Sequence, residues 1–247
     1  MFRPADNRKQ AKETSSRHQT NIYHSFSSGD CQRKPLIMPD IQLIHGYSLQ
    51  ALKGYGDNHF DVAIVDPPYG INRGGQPETF TKNPKHKRRE HKQKDWDKSR
   101  PNAEYWNELF RVSKNQIIWG ANYFTEFLPP SMGWVFWDKG QNLTMSDGEL
   151  AFTSFERALR RKIINRAEIM KDGAIHPTQK PVKLYRWLLK NYTKENDLIL
   201  DTHLGSGSIA IACHYMNRNL IGYEIDKEYY DAACKRFKEQ TKQISLF

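Results

Sequence analysis

Leu198-Ile199-Leu200-Asp201-Thr202-His203-Leu204-Gly205-Ser206-Gly207-Ser208 is the stretch on which the fold turns. Leu198 to Leu200 is a short apolar run of the kind that forms a buried strand. Gly205 and Gly207 let the backbone take unusual φ and approach a ligand closely. Ser208 opens an apolar helix, Ile209-Ala210-Ile211-Ala212-Cys213. Its N-terminus offers free N–H groups to a carboxylate or phosphate. The next apolar run, Leu220-Ile221-Gly222-Tyr223, ends at Glu224, 17 residues after Gly207. An acid in that place can bind both hydroxyls of a ribose. Strand, glycine loop, helix, strand and acid make one half of a Rossmann-like unit.

Far upstream, Val62-Ala63-Ile64-Val65 is a second apolar run, and it ends in Asp66-Pro67-Pro68-Tyr69-Gly70. Open α/β sheets bind ligands just past the C-terminal ends of their strands. Two prolines fix φ twice and remove two N–H donors. The Pro67 carbonyl is then free of a competing neighbouring donor, and Asp66 adds a second acceptor. Two acceptors in a rigid arc suit an amino group. Tyr69 offers a flat face to a base that has left its stack. An exocyclic amine is a poor nucleophile because its lone pair is delocalised. Accepting both its hydrogens favours a pyramidal nitrogen, and a negative group stabilises the positive charge that develops there. The two strand ends together suggest a cofactor held beside a planar, amine-bearing base.

A third segment, His176-Pro177-Thr178-Gln179-Lys180-Pro181, precedes a helix predicted from Val182. Proline is well tolerated at a helix start. Leu184, Trp187 and Leu188 give that helix an apolar face, and Thr178 or Gln179 is a candidate cap.

Taken in this order, the three motifs resemble the S-adenosylmethionine-dependent amino-methyltransferases of DNA, the N-4/N-6 DNA methylase family. Placing the catalytic motif before the cofactor motif resembles the circularly permuted beta class. Trp119-Gly120-Ala121-Asn122-Tyr123-Phe124 and Gly133-Trp134-Val135-Phe136-Trp137-Asp138-Lys139 resemble short phage and bacterial members. The resemblance spans roughly residues 40 to 240. It implies methyl transfer from S-adenosylmethionine to adenine N6, because Asp66 rather than Ser stands first in the catalytic motif. Cytosine N4 is the alternative acceptor, and a non-catalytic DNA-binding protein that kept the fold is the rival from another class. The resemblance assigns catalysis to Asp66, Pro67, Pro68 and Tyr69. It assigns the cofactor to Asp201, His203, Leu204, Gly205, Ser206, Gly207, Ser208 and Glu224, with His176, Thr178, Gln179 and Lys180 at its methionine end. No metal is required. Two positions depart from the family. Asp201-Thr202-His203 replaces Asp-Pro-Phe, so His203 is read as a packing wall. Gly46-Tyr47 replaces Gly-Asp, leaving Ser48 or the Tyr47 backbone to meet the cofactor adenine.

Charge and length agree. The chain has 247 residues and a formal net charge of +10, which points to an acidic partner such as nucleic acid. Residues 81–100 hold nine Lys/Arg against three Asp/Glu, and residues 157–172 hold six against two. Such runs neutralise phosphates and position a duplex. The candidates are Lys85, Lys87, Arg88, Arg89, Lys92 and Lys94, then Arg157, Arg160 and Arg161. Trp96 is a candidate anchor for the first run, with intercalation as the alternative. Three cysteines without paired spacing argue for a reducing cytoplasm and against disulfides or structural zinc. No apolar run is long enough to span a membrane.

The expected fold is α/β: a Rossmann-like, seven-stranded, mostly parallel sheet with helices on both faces, the first strand beside the last. Strands are predicted near 41–44, 62–65, 115–119, 133–137, 149–153, 198–201 and 220–224. Helices are predicted near 48–54, 102–112, 122–128, 182–192, 207–217 and 226–240. Residues 38–247 are read as one domain with basic insertions at 71–100 and 157–175. Residues 1–37 are polar, basic and aperiodic and read as a disordered tail, with Met38 a candidate translation start. A homodimer and a restriction endonuclease partner both remain open, as does the recognition sequence on double-stranded DNA.

Overall fold

A computed structural model describes residues 38–72, 94–140, 146–165, 173, 175–176 and 178–242. Eight strands lie among them: β1 (Ile41–His45), β2 (Phe60–Val65), β3 (Ser113–Trp119), β4 (Trp134–Asp138), β5 (Gly148–Thr153), β6 (Arg160–Ile163), β7 (Leu198–Asp201) and β8 (Asn219–Glu224). They form one sheet in the order β1-β8-β7-β2-β3-β5-β4-β6. Pairing is parallel from β1 through β3, and β5 runs antiparallel to both β3 and β4. The first strand does lie beside the last. The tail at 1–37 lies outside the described residues.

Among the described residues five helices cover the sheet: α1 (Ser48–Leu52), α2 (Ala103–Val112), α3 (Val182–Tyr192), α4 (Ser208–Met216) and α5 (Lys227–Gln240). The alternation of β2 explains the layers. Val62 and Ile64 join a core with Leu184 and Leu188 of α3 and Ile209 and Ala212 of α4. Ala63 and Val65 join a second core with Leu49 and Leu52 of α1 and Trp106 and Leu109 of α2. A strand covered on both faces reads as an unbroken apolar run, as Val62–Val65 does.

Helix ends follow local chemistry. The Asn102 side chain accepts from Tyr105 N at 3.1 Å at the head of α2. Asp226 Oδ1 accepts from Glu228 N and Tyr229 N, both at 3.0 Å, at the head of α5. These are ordinary N-caps.

Three expectations need correction. The sheet has eight strands, not seven. The extra one, β6, is an Arg-Arg-Lys-Ile edge strand that pairs with β4 alone. Its side chains are mostly exposed, so it carries no apolar pattern to detect. The helix expected at 122–128 is two 3₁₀ turns, Ala121–Tyr123 and Thr125–Phe127. Gly120, at φ +64°, turns the chain into the first of them. Neither Thr178 nor Gln179 caps α3, whose N-cap is Pro181 with no side-chain bond. Gln179 holds its own loop instead: its Oε1 accepts from Ile175 N at 3.0 Å and its Nε2 donates to Gly173 O at 3.2 Å.

Leu188 is fully buried between α3 and the sheet. Leu188→Ala is expected to cost about 2–5 kcal/mol of stability through lost burial and the cavity left behind. Urea denaturation followed by circular dichroism measures it, and a loss under 1 kcal/mol would mean the site collapses around the gap.

Candidate active site

Parallel strands that lie side by side deliver their C-terminal ends to one edge of the sheet. Here β1 ends at His45, β8 at Glu224, β7 at Asp201 and β2 at Val65. The residues just past those ends surround one cavity of about 410 Å³. Its lining includes Gly46, Tyr47 and Ser48 after β1, Thr202, His203 and Gly205 after β7, Glu224 and Ile225 at β8, and Asp66 and Pro68 after β2. Trp96, Asn102, Tyr105, His176 and Tyr229 also line it. The size suits a small organic cofactor.

At one end sits Glu224. Its Oε2 accepts from Gly205 N at 2.8 Å, and its Oε1 accepts from Asp226 N at 2.9 Å. Burial pushes its carboxyl up, and the Asp226 and Gly205 amides pull it back. Each oxygen keeps acceptor capacity for a diol. The glycine loop is fixed from beneath by Arg236 of α5, whose Nη1 donates to Ser206 O and Ser208 Oγ, both at 2.9 Å. Gly207 holds φ +69°, and a Cβ there would lie 3.2 Å from that of Ala233. The loop therefore packs against α5 only as glycine.

The middle wall is neutral. Burial pushes Asp201 up to about 8, opposed by the His203 amide that it accepts. Burial pulls His203 down to about 4. A short relay joins them to α2: His203 Nδ1 and Thr202 Oγ1 lie 2.8 Å apart, and Thr202 Oγ1 lies 2.7 Å from the Tyr105 hydroxyl. Among the described residues no three His, Cys, Asp or Glu side chains cluster as metal ligands. The His203 ring packs edge-on to Tyr105 with centroids 5.5 Å apart.

At the other end stands Asp66, 17% exposed in its side chain. Its Oδ1 accepts from the Tyr69 hydroxyl at 2.6 Å, and its Oδ2 accepts from Lys180 Nζ. The Tyr69 ring stacks on Tyr123 at 4.9 Å and 12°. Gly120 permits that contact, since a Cβ there would fall 2.1 Å from the ring. The backbone of the loop after β2 is pinned by buried Asp97, whose Oδ1 accepts from Tyr69 N at 2.7 Å and Gly70 N at 2.9 Å. Over the cavity, His176 packs edge-on to Tyr229 at 4.3 Å and 5.2 Å from Trp96. His176 Nδ1 accepts from Thr178 N at 3.3 Å.

The chain's similarities agree with this geometry. Residues 118–235 match the DNA methylase family model for N6 and N4 amino-methyltransferases. That match covers 118 of the 247 residues, so the chain is similar to the N6/N4 DNA methylases over that stretch. It is 25% identical to the type II methyltransferase M.HpaI of Haemophilus parainfluenzae, over 81% of this chain and 75% of that enzyme. Its fold matches the M1.HpyAVI–SAM complex with TM-score 0.53 and 23% identity, over 79% of this chain and 99% of that one. It also matches the cytosine-N4-specific PvuII DNA methyltransferase with TM-score 0.54 and 13% identity, over 85% and 89% of the two chains.

Sequence motifs brought Asp66, the 201–208 loop, Glu224 and His176 to one cavity. Other assignments change. Lys180, assigned with its segment to the methionine end of the cofactor, donates to Asp66, which pairs its buried ammonium with a carboxylate. Tyr123 stacks on one face of the half-buried Tyr69, and the Tyr69 hydroxyl donates to Asp66. Lys94 is tied to Asp226 at 2.7 Å and Glu228 at 2.8 Å. Arg161 pairs with Asp138 at 2.8 Å, and Arg157 lies 5.2 Å over the Tyr192 ring while donating to Asn191 O. Arg160 is exposed on β6. Lys85, Lys87, Arg88, Arg89 and Lys92 lie outside the described residues. Glu149 and Asp97 had no motif role to mark them, and Tyr123 and Lys139 stood in family-like strings with no role assigned. An acid facing a lysine across two strands is invisible without the register.

Asp97→Ala would leave the Tyr69 and Gly70 amides without their carboxylate. The expected loss is about 1.5–3 kcal/mol for each charge-assisted bond. Amide hydrogen exchange should rise at these two positions first. Unchanged exchange there would mean another acceptor holds the loop.

Proposed function

We propose that this protein uses S-adenosylmethionine and methylates the N6 amine of an adenine flipped out of double-stranded DNA. The observation that carries the reading is a single cavity with Glu224 at one end and Asp66 at the other. When bound, S-adenosylmethionine supplies an electrophilic methyl group on a sulfonium. Glu224 would hold its ribose hydroxyls, the 201–208 loop would back it, and His176 with Thr178 would flank its methionine end. Gly46, Tyr47 and Ser48 line the same cavity and stand where its adenine would meet the protein.

Asp66 and the Pro67 carbonyl accept the two hydrogens of the target amine. That favours a pyramidal nitrogen and frees its lone pair. A carboxylate held in place before the reaction also stabilises the positive charge on nitrogen without reorganising. Asp66 then takes the proton that the methylated amine sheds. Holding base and methyl donor in one cavity supplies much of the rate by alignment alone. Pro68 keeps the loop rigid, and Tyr69 orients Asp66 through its hydroxyl. Lys85, Lys87, Arg88, Arg89, Lys92 and exposed Arg160 would neutralise the phosphates. A type II enzyme of this kind would work in the cytoplasm of its host, beside a restriction endonuclease.

Two variants separate the steps. Asp66→Ala is expected to keep cofactor affinity within about twofold while methyl transfer falls by about 10²–10⁴, the range for a positioned acid–base group. Tritium transfer to DNA followed by nucleoside mass spectrometry reads rate and base together. Methylcytosine as product would replace adenine by cytosine N4, and no transfer by the wild type would favour a non-catalytic DNA binder. Glu224→Ala is expected to weaken cofactor binding by about 1.5–3 kcal/mol in calorimetry. Unaltered affinity would remove Glu224 as the ribose ligand.

A further inference from the structure

Asp66 heads a chain of four charges whose other three members do not line the cavity. Lys180 Nζ donates to Asp66 Oδ2 and lies 3.2 Å from Glu149 Oε2. Glu149 Oε1 lies 3.0 Å from Lys139 Nζ. Lys180 is 3% exposed and Lys139 9%. Lys180 Nζ rests 5.1 Å over the Trp119 ring and Lys139 Nζ 5.4 Å over that of Trp137. The signs alternate, so two carboxylates and two ammonium groups balance. Only Asp66 of the four lines the cavity.

The members come from distant parts of the chain. Asp66 follows β2, Lys180 precedes α3, Glu149 is on β5 and Lys139 follows β4. Glu149 faces Trp137 across the antiparallel β4–β5 pair. A buried lysine with a single carboxylate partner could swing with it. A lysine gripped by a second carboxylate on a rigid strand cannot, and so offers Asp66 a fixed counter-charge.

We propose that Glu149 is a positioning residue for methyl transfer: acting through Lys180, it fixes the catalytic carboxylate of Asp66 in place before the base arrives. Lys139 neutralises Glu149 from the far side. This rests on the functional reading above, in which Asp66 acts as a carboxylate on the target amine.

The chain also sets where Asp66 titrates. The groups that face it are Tyr69 beside it, Lys180, Tyr185 of α3, Glu149 of β5 and Asp201 of β7. Burial raises the Asp66 carboxyl most, Lys180 lowers it and Glu149 raises it. Removing Lys180 and removing the Glu149 charge should therefore move Asp66 in opposite directions. A merely structural role would move neither.

The test uses the full chain with Lys180→Met, Lys180→Arg and Glu149→Gln. In Lys180→Met the acid limb of the kcat profile should rise by about 1–3 pH units, the scale of a lost ion pair. Lys180→Arg should return it toward the wild-type position. In Glu149→Gln the limb should fall by up to about one unit, while kcat on its plateau drops about tenfold because Lys180 is no longer held. Affinity for S-adenosylmethionine should stay within twofold in all three. A limb that stays fixed in Lys180→Met and Glu149→Gln overturns the proposal, as does cofactor affinity that falls in step with kcat. Carbon-13 NMR titration of the Asp66 carboxyl, without DNA or cofactor, reads the same shifts free of turnover. It decides the proposal even for a wild type that transfers no methyl, a result that would sink the functional reading alone. If Lys180→Met fails to fold, Glu149→Gln carries the test, and an unmoved carboxyl there overturns the proposal.

Discussion

The parallel register of β1, β8, β7 and β2 is the constraint on which everything else depends. His45 stands opposite Glu224, Asp201 opposite Gly222, and Ala63 opposite Leu200. Four neighbouring strands thus stop within a few residues of each other on the same edge. The backbone past each end has no further ladder to join, so its polar groups turn to a ligand or to one another. Glu224 already uses both oxygens to order the glycine loop and the turn after β8. The site is organised around where a cofactor would sit, which lowers the cost of binding one.

Burial then dictates the electrostatics. A buried charge survives only when paired, because losing its water costs several kcal/mol that a partner must offset. Asp66 has Lys180, and Lys180 has Glu149 as well. Against the lowering effect of burial, those two carboxylates hold Lys180 above the ordinary lysine range. Asp201 accepts from the His203 amide, and burial pushes it toward the neutral acid. Two aspartates at adjacent strand ends therefore differ in role by their surroundings alone. One is kept as an acceptor beside a lysine, and the other becomes part of a neutral wall with His203.

Aromatic packing closes the site. Tyr69, Tyr123 and Phe124 form a cluster beside the catalytic loop, while Trp96, His176 and Tyr229 form another over the cavity. Lys94 fastens the second cluster by its ion pair with Asp226 and its position 4.2 Å over the Tyr229 ring. A cation that looked available for phosphate is thus committed to the rim of the cavity. Net charge counts such residues as basic surface, and contact geometry reassigns them.

The local pattern was enough for the elements that carry strong periodicity or punctuation. The apolar run into Asp66, the glycine loop into α4, and Glu224 at the end of β8 are each written in consecutive residues, because strand burial and glycine φ are local requirements. Their order along the chain also implied that β1 joins β8. The edge strand β6 was not legible, since a strand exposed along its length needs no apolar code. The partners of Asp66 were not legible either. Lys180 is 114 residues from Asp66 along the chain, and Glu149 and Lys139 meet only because β4 and β5 pair antiparallel. Sequence determined which residues can do the chemistry. Tertiary structure decided which charges face each other, because Coulomb forces and desolvation depend on distance in space and on burial, and neither is recorded in the spacing of residues along a chain.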